Sequence, residues 1–431
     1  MATSDPWLFP RLIQIPPRAL GRKAVSIPDI TQFWRVTQEL FGVRCRAPTE
    51  IYASGVYNEL FKLELDTPPN ADLPKIVLAR VARNAKTRSD NSLESEVATM
   101  AFVRQNCPEV PVPRVFGYCP FQNNAIGAPF SVVSFSEGVE MYGVPWEELP
   151  LESKLIGVRD FARIIAQLTH LNFKSMGSIY FKFEAQHSPS QTIAPTGFCL
   201  GPASWAKDES ASRMAALAME DTKRDRGPWK CSAHWLKASL AEDIQFIERL
   251  PGLAKQSFAA RTNKSEREGE RRLQLARRVL PRMHDCVMEP RDDPYDQCST
   301  GPFVLGHLDL NPWNMIYAPK GPNAGHIVAI IDWEMSLTVP LWRMACYPLW
   351  FDLAFSSTRK TRPPEEARAF KDTYIRELQK HTRDALVLRV VQNAQYEARR
   401  RFAELAVLGW EEADVMDRWL IQNDASTAPS E

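Results

Sequence analysis

The 431-residue chain has no run of about eighteen apolar residues, so no membrane-spanning helix is expected. It also lacks an excess of either charge, with 53 Lys and Arg against 52 Asp and Glu, a formal +1. A balance that even gives no electrostatic grip on nucleic acid or on an anionic membrane surface, and neither is expected as a partner. The eight cysteines (45, 107, 119, 199, 231, 286, 298 and 346) contain no C-x-x-C pair. That spacing argues against a zinc site or a disulfide framework and for free thiols in a reducing compartment. The opening residues MATSDPW carry no basic stretch followed by an apolar run, so they do not read as a secretory leader. From these absences a cytoplasmic location is expected.

What is present is a chain of 44% apolar content, that of a globular protein, and of a length that suits two lobes rather than one core. Its most informative text is V-L-G-H-L-D-L-N-P-W-N-M-I at 304–316, followed by I-V-A-I-I-D-W-E at 327–334. The first segment spaces His307, Asp309 and Asn314 as H-x-D-x-x-x-x-N. Between them, Met315–Tyr317 reads as a strand, 319–325 is dense in turn formers, and Ile327–Ile331 reads as the returning strand. A hairpin of that kind carries Asp332 back beside the loop that holds Asp309. Phosphoryl transfer from ATP asks for a carboxylate to accept the acceptor's proton and for oxygen ligands to magnesium on the phosphates. Asp309 suits the first task, and Asn314 and Asp332 the second.

His307 to Asn314 together with Ile331-Asp332-Trp333-Glu334 resembles the aminoglycoside phosphotransferase family of small-molecule kinases, which is similar to the protein kinases in fold. The resemblance covers roughly residues 45–355 and is weakest over 185–300. It implies an α+β, two-lobed, protein-kinase-like chain that uses ATP and Mg2+. The implied limits are an N-terminal extension (1–44), a β-rich small lobe with one helix (45–138), a mostly helical large lobe (139–423) and a disordered tail (424–431).

Other segments fit that plan. Alternation after Asn58 predicts a strand, with Ser54–Asn58 as the turn before it. The resemblance places Gly55 and Asn58 over the nucleotide phosphates, although a lone glycine there equally makes an ordinary hairpin. Lys75–Ala82 is a second strand, and the resemblance makes Arg80 the cation on the α/β-phosphates. Arginine replaces the usual lysine, a planar fork in place of a point donor. Ser92–Val103 predicts a helix with Val97, Met100, Ala101 and Val103 inward. Glu96 on it is the implied partner of Arg80, with Glu94 the competing candidate. Phe130–Gly138 predicts a buried strand ending at the hinge, where Ser134 to Ser136 would meet the adenine edge.

In the large lobe, residues 155–171 predict a core helix on which His170 is structural. Residues 176–230 are irregular and read either as a pocket-shaping insertion or as surface elaboration. Residues 261–278 mix charges as a solvated helix face does, and 364–380 and 390–421 read as helices. His307 braces the catalytic loop. Glu334 either helps a cationic substrate or starts a helix, and Trp333, Trp342 and Trp350 offer an aromatic face to an amine or simply pack the core. The expected activity is transfer of phosphate from ATP to a hydroxyl or amine of a small molecule. The rival is a non-catalytic kinase-like protein that binds nucleotide or a partner. The lack of D-F-G and A-P-E segments argues against a protein-directed kinase. The sequence does not identify the acceptor or fix an oligomeric state.

Overall fold

The structure is a computed structural model of the whole chain, and it describes residues 7, 9–16, 27–55, 57–83, 90–183, 195–204, 225–287, 303–354 and 360–426. The small lobe is a six-stranded sheet built from β1 (Arg11–Leu12), β2 (Ala53–Ser54), β3 (Asn58–Glu64), β4 (Ile76–Ala82), β5 (Val115–Cys119) and β6 (Phe130–Ser134), in the order β1-β5-β6-β4-β3-β2. Helix α1 (Phe33–Phe41) covers one face, and α2 (Asp90–Asn106) lies on the other side.

The two-residue period of β4 decides which side chains look where. Val77, Ala79 and Val81 are buried in the core shared with α1, through Phe33, Val36 and Leu40. Arg80 is on the opposite face, where Leu78 packs against the core that contains α2 and the large lobe. The alternation of I-V-L-A-R-V-A therefore points Arg80 at the cleft.

The extension is part of the small lobe. Strand β1 pairs in parallel with β5, Arg11 opposite Gly117 and Leu12 opposite Tyr118, and Ile13 and Ile15 are buried. A Cβ on Gly117 would stand 2.7 Å from Leu40 Cδ2 and 3.2 Å from the Arg11 carbonyl, so this close approach needs glycine.

The large lobe holds the short strands that carry the motif residues. After β6 come β7 (Val139–Glu140), the hairpin β8 (Ser178–Lys182) and β9 (Gly197–Gly201), then β10 (Phe303–Gly306), β11 (Met315–Tyr317), β12 (Ile327–Ile330) and β13 (Leu337–Pro340). β11 lies between β12 and β7, and β10 pairs with β13. At the hinge the backbone passes close to β11, since a Cβ on Gly138 would stand 2.6 Å from the Tyr317 carbonyl oxygen.

Helices Leu151–Thr169, Ser232–Arg249, Pro251–Thr262, Glu266–Asp285 and Pro364–His381 supply much of the remaining core. The Glu266–Asp285 helix is not simply a solvated face. Leu273, Ala276, Val279 and Leu280 are buried, and so is Arg272, which is bonded to Asp414. The helical stretch expected at 390–421 is three helices, Ala385–Gln392, Ala394–Leu408 and Ala413–Ser426. Asn393 caps the second helix, and Gly409, at φ +104°, breaks the chain before the third. The third runs to Ser426, beyond the expected start of the tail, whose residues 427–431 lie outside the described ones. The irregular 176–230 segment contains the β8–β9 hairpin, while its parts at 184–194 and 205–224 are outside the described residues. Among the described residues no helix is long and apolar enough to cross a membrane, and seven cysteines are free thiols.

Candidate active site

The motif loop begins where β10 ends. His307 is 2% exposed, and its Nε2 lies 2.8 Å from the Ile331 carbonyl oxygen. A carbonyl only accepts, so Nε2 carries the proton. Burial lowers the pKa of the imidazole, which stays neutral against Trp333, ring centroids 4.8 Å apart. His307 thus joins the loop before Asp309 to the residue before Asp332.

Asp309 is held by two amides. Asn311 Nδ2 donates to its Oδ1 at 2.7 Å, and Asn314 Nδ2 donates to its Oδ2 and to its carbonyl oxygen, both at 2.8 Å. Asn311 also accepts from the Trp313 amide at 2.9 Å and so caps the 3-10 turn Pro312–Asn314. Asn311 was missed in the sequence. Its signal was an asparagine directly before a proline at a helix start, the arrangement of an Asx cap.

The hairpin closes as its sequence predicts. Met315 is opposite Ile330, and the Ile331 amide donates to the Asn314 carbonyl at 3.0 Å. Asp332 follows directly, at φ +65°, a left-handed conformation that costs a non-glycine residue about 1 kcal/mol or more. The surrounding bonds on Asn314 and His307 hold it there.

Arg80 joins the lobes. Its guanidinium is bonded to Glu96 of α2, and its second terminal nitrogen lies 3.2 Å from Asp332 Oδ1. Glu96 is fully buried, whereas the Asp332 side chain is 34% exposed and opens to the cleft. Burial works against the arginine charge, but Glu96, Asp332 and Glu334 outweigh it and hold the guanidinium firmly protonated. Burial in turn raises the Asp332 pKa, Arg80 opposes that rise, and the Glu96 charge adds to it. Glu96, not Glu94, is the residue bonded to Arg80.

The structure leaves other expected residues in different positions. The Gly55 amide donates to the Asn58 carbonyl at 2.9 Å, so the turn itself uses the donor that sequence reasoning offered to a phosphate. Asn58 is 7% exposed and begins β3 opposite Ala82. At the hinge, the Ser134 amide donates to the Arg114 carbonyl at 2.8 Å, and its hydroxyl accepts from the Arg114 amide at 2.9 Å. Both contacts tie β6 to the residue before β5, and the amide donor of Ser134 is used there. Ser136 follows the strand and is half-buried.

Trp333, Trp342 and Trp350 are 0%, 2% and 2% exposed, so they are core residues and offer no face to an amine. The aromatic surface beside the loop is instead Trp313 stacked on Tyr142, centroids 4.5 Å apart and planes 26° from parallel. His170 accepts from the Arg383 amide at 3.1 Å, a structural role.

The donor set fits a hard divalent cation. Glu96, Asp332 and Glu334 set three carboxylates around the Arg80 guanidinium, and the Asp309 charge acts on Asp332. Asn314 spends its amide nitrogen on Asp309, which directs the carbonyl oxygen of the side chain elsewhere. Hard oxygen donors with excess negative charge are what Mg2+ takes.

The model of the phosphotransferase enzyme family matches residues 52–387. A subtelomeric hrmA-associated cluster protein of Aspergillus fumigatus is 24% identical over 323 residues, covering 69% of this chain and 59% of the relative. "Altered inheritance of mitochondria protein 9, mitochondrial" of Clavispora lusitaniae is 23% identical over 303 residues, covering 66% of this chain and 47% of the relative. The chain thus spans about half the length of the curated relatives it matches. The solved streptomycin–ATP ternary complex of APH(2″)-IIa has a TM-score of 0.40 at 11% identity, covering 88% of this chain and 98% of the other. The expected cytoplasmic location is corrected by these relatives, several of which are named as mitochondrial proteins. A chain with no strong field and no C-x-x-C pair suits any reducing compartment, so composition could not tell one from another.

Proposed function

Since the chain belongs to the phosphotransferase enzyme family, we propose that it transfers the γ-phosphoryl group of ATP to a hydroxyl or amine of a small molecule. The observation that carries this reading is the convergence of Asp309, Asn314, Asp332 and Arg80, from two lobes, through the bonds of the 315–330 hairpin and the Arg80–Asp332 contact. Asp309 takes the proton of the acceptor while the new O–P or N–P bond forms, and the bond from the γ-phosphorus to the β–γ bridging oxygen breaks to release ADP. Asn311 and Asn314 keep its carboxylate turned to that task. Arg80, aligned by Glu96, turns from Asp332 to the α/β-phosphates when nucleotide enters. Asn314 and Asp332 would hold Mg2+, whose charge offsets that of the phosphates. His307 is a positioning residue that fixes the loop through the Ile331 carbonyl. Ser136 and the Ser134 carbonyl are the hinge groups for the adenine edge. The names of the yeast relatives support a mitochondrial location for this chain.

The rival reading, nucleotide binding without transfer, is favoured by one observation: the Gly55 amide is bound within its own turn. A thermal-shift titration with ATP, with and without magnesium, in wild type and Asp332→Ala tests the first step. Stabilisation that needs both magnesium and Asp332 is expected, and equal stabilisation of all four samples overturns the metal assignment. Screening small alcohols and amines for ADP release then separates the two readings.

A further inference from the structure

Helix α2 carries Glu96, and the side chains that hold this helix come largely from the large lobe and the N-terminal segment. Phe102 of α2 meets Phe198 of β9 edge-on at 5.2 Å and Phe173 at 5.8 Å. Phe198 also meets Phe181 of β8 at 5.8 Å and Phe9 at 5.6 Å, and Phe181 lies 6.1 Å from Tyr118 of β5. Strand β8 packs along α2. Six aromatic rings from three parts of the chain thus converge at one end of α2.

The root of the hairpin is attached to the segment that follows Asp332. The Gly177 amide donates to the Thr338 hydroxyl at 2.8 Å, and the Thr338 amide donates to the Gly177 carbonyl at 3.0 Å. The Ser178 hydroxyl donates to the Ser336 carbonyl at 3.3 Å. Helix α2 itself packs on the turn Trp333–Met335. The hairpin therefore shares anchors with both acids that Arg80 touches, Glu96 through α2 and Asp332 through 336–338.

We propose that Phe198 and Phe181 are positioning residues: the β8–β9 hairpin clamps α2 so that Glu96 stays on Arg80 without any bound ligand or modification. This rests on the reading of Arg80 as the phosphate contact. The physical reason is that aromatic pairs of this geometry add to the area they bury. A helix packed on one side by a lobe it does not belong to would otherwise slide. The clamp replaces an external signal with a built-in contact, so the Arg80–Glu96 pair is formed in the free protein.

The test is a double-mutant cycle on nucleotide affinity, with Phe198→Ala and Glu96→Ala measured singly and together by ATP titration with magnesium. Phe198→Ala is expected to weaken ATP binding about fivefold, the low end of coupling between sites in one structure. In the Glu96→Ala background it is expected to have no further effect, because it acts through Glu96. Phe198→Leu, which keeps the apolar volume, is expected to restore most of the affinity. Strict additivity of the two substitutions overturns the proposal. Hydrogen exchange of residues 92–106 in wild type and Phe198→Ala is the second readout and needs no nucleotide. Faster exchange confined to α2 supports the clamp, and unchanged exchange overturns it. A wild type that binds no ATP while exchange still quickens in Phe198→Ala refutes the phosphate reading of Arg80 and leaves the clamp standing.

Discussion

The Arg80–Glu96 pair gives the sharpest quantitative test of the site. Glu96 has no exposed side-chain surface, and Arg80 has 13%. Glu96→Leu removes the carboxylate and keeps the volume, so what changes is the charge left behind. Removing one member of a buried ion pair costs about 3–5 kcal/mol, because the other charge stays desolvated. Arg80 keeps Asp332 at 3.2 Å, a partner that is itself partly in water. The surviving contact offsets part of the loss, which places the expected cost near the low end, about 3 kcal/mol. Replacing both members, Arg80→Met with Glu96→Leu, leaves no orphaned buried charge and is expected to recover at least about half of that loss. The assay is urea unfolding at neutral pH and fixed ionic strength, read from the midpoint at unchanged slope. A single Glu96→Leu that costs less than about 1 kcal/mol, or a double variant no more stable than the single one, would refute the picture of a desolvated arginine held by Glu96.

Three further outcomes follow from the same structure. Asp309→Asn is expected to keep near-normal ATP affinity while turnover on a true acceptor falls by about 10²- to 10⁴-fold, measured by ADP release, and equal turnover removes Asp309 as base. Burial opposes the Glu377 charge, but Lys380 and Arg163 more than compensate and hold its pKa below the ordinary value of 4.5. Its stabilisation is therefore present above that value and is lost as pH falls through the folded pKa, so Glu377→Gln should lower the melting temperature at pH 7 with the difference closing in acid, and a pH-independent difference would contradict this. Burial pushes the Cys107 thiol up to about 12, whereas Cys199 and Cys286 are exposed, so mild alkylation of the folded protein at pH 8 should label the latter two and spare Cys107, as peptide mass mapping would report.

Local order determined much of this protein by itself. The period of two in β4 aims Arg80 away from Val77, Ala79 and Val81, and the turn formers at 319–325 bring Asp332 back to Asn314. These are short-range consequences of side-chain alternation and turn chemistry, so the sequence suffices for them. Asn311 was missed, although its place before a proline is a local cap signal of the same kind. Other features were decided only by tertiary packing. That Glu96 rather than Glu94 meets Arg80 depends on the rotation of α2 against β4, and both acids lie on the same short stretch of helix. The tryptophans after Asp332 looked able to serve a ligand, yet the helical lobe closes over them. The Gly55 and Ser134 amides had the right chemistry for a nucleotide, but the Asn58 and Arg114 carbonyls accept from them. The aromatic contacts around α2 join Phe9, Phe102 and Phe198, residues that no local pattern relates. Burial and pairing of polar groups depend on what the rest of the chain places nearby, and that information exists only once the lobes have packed.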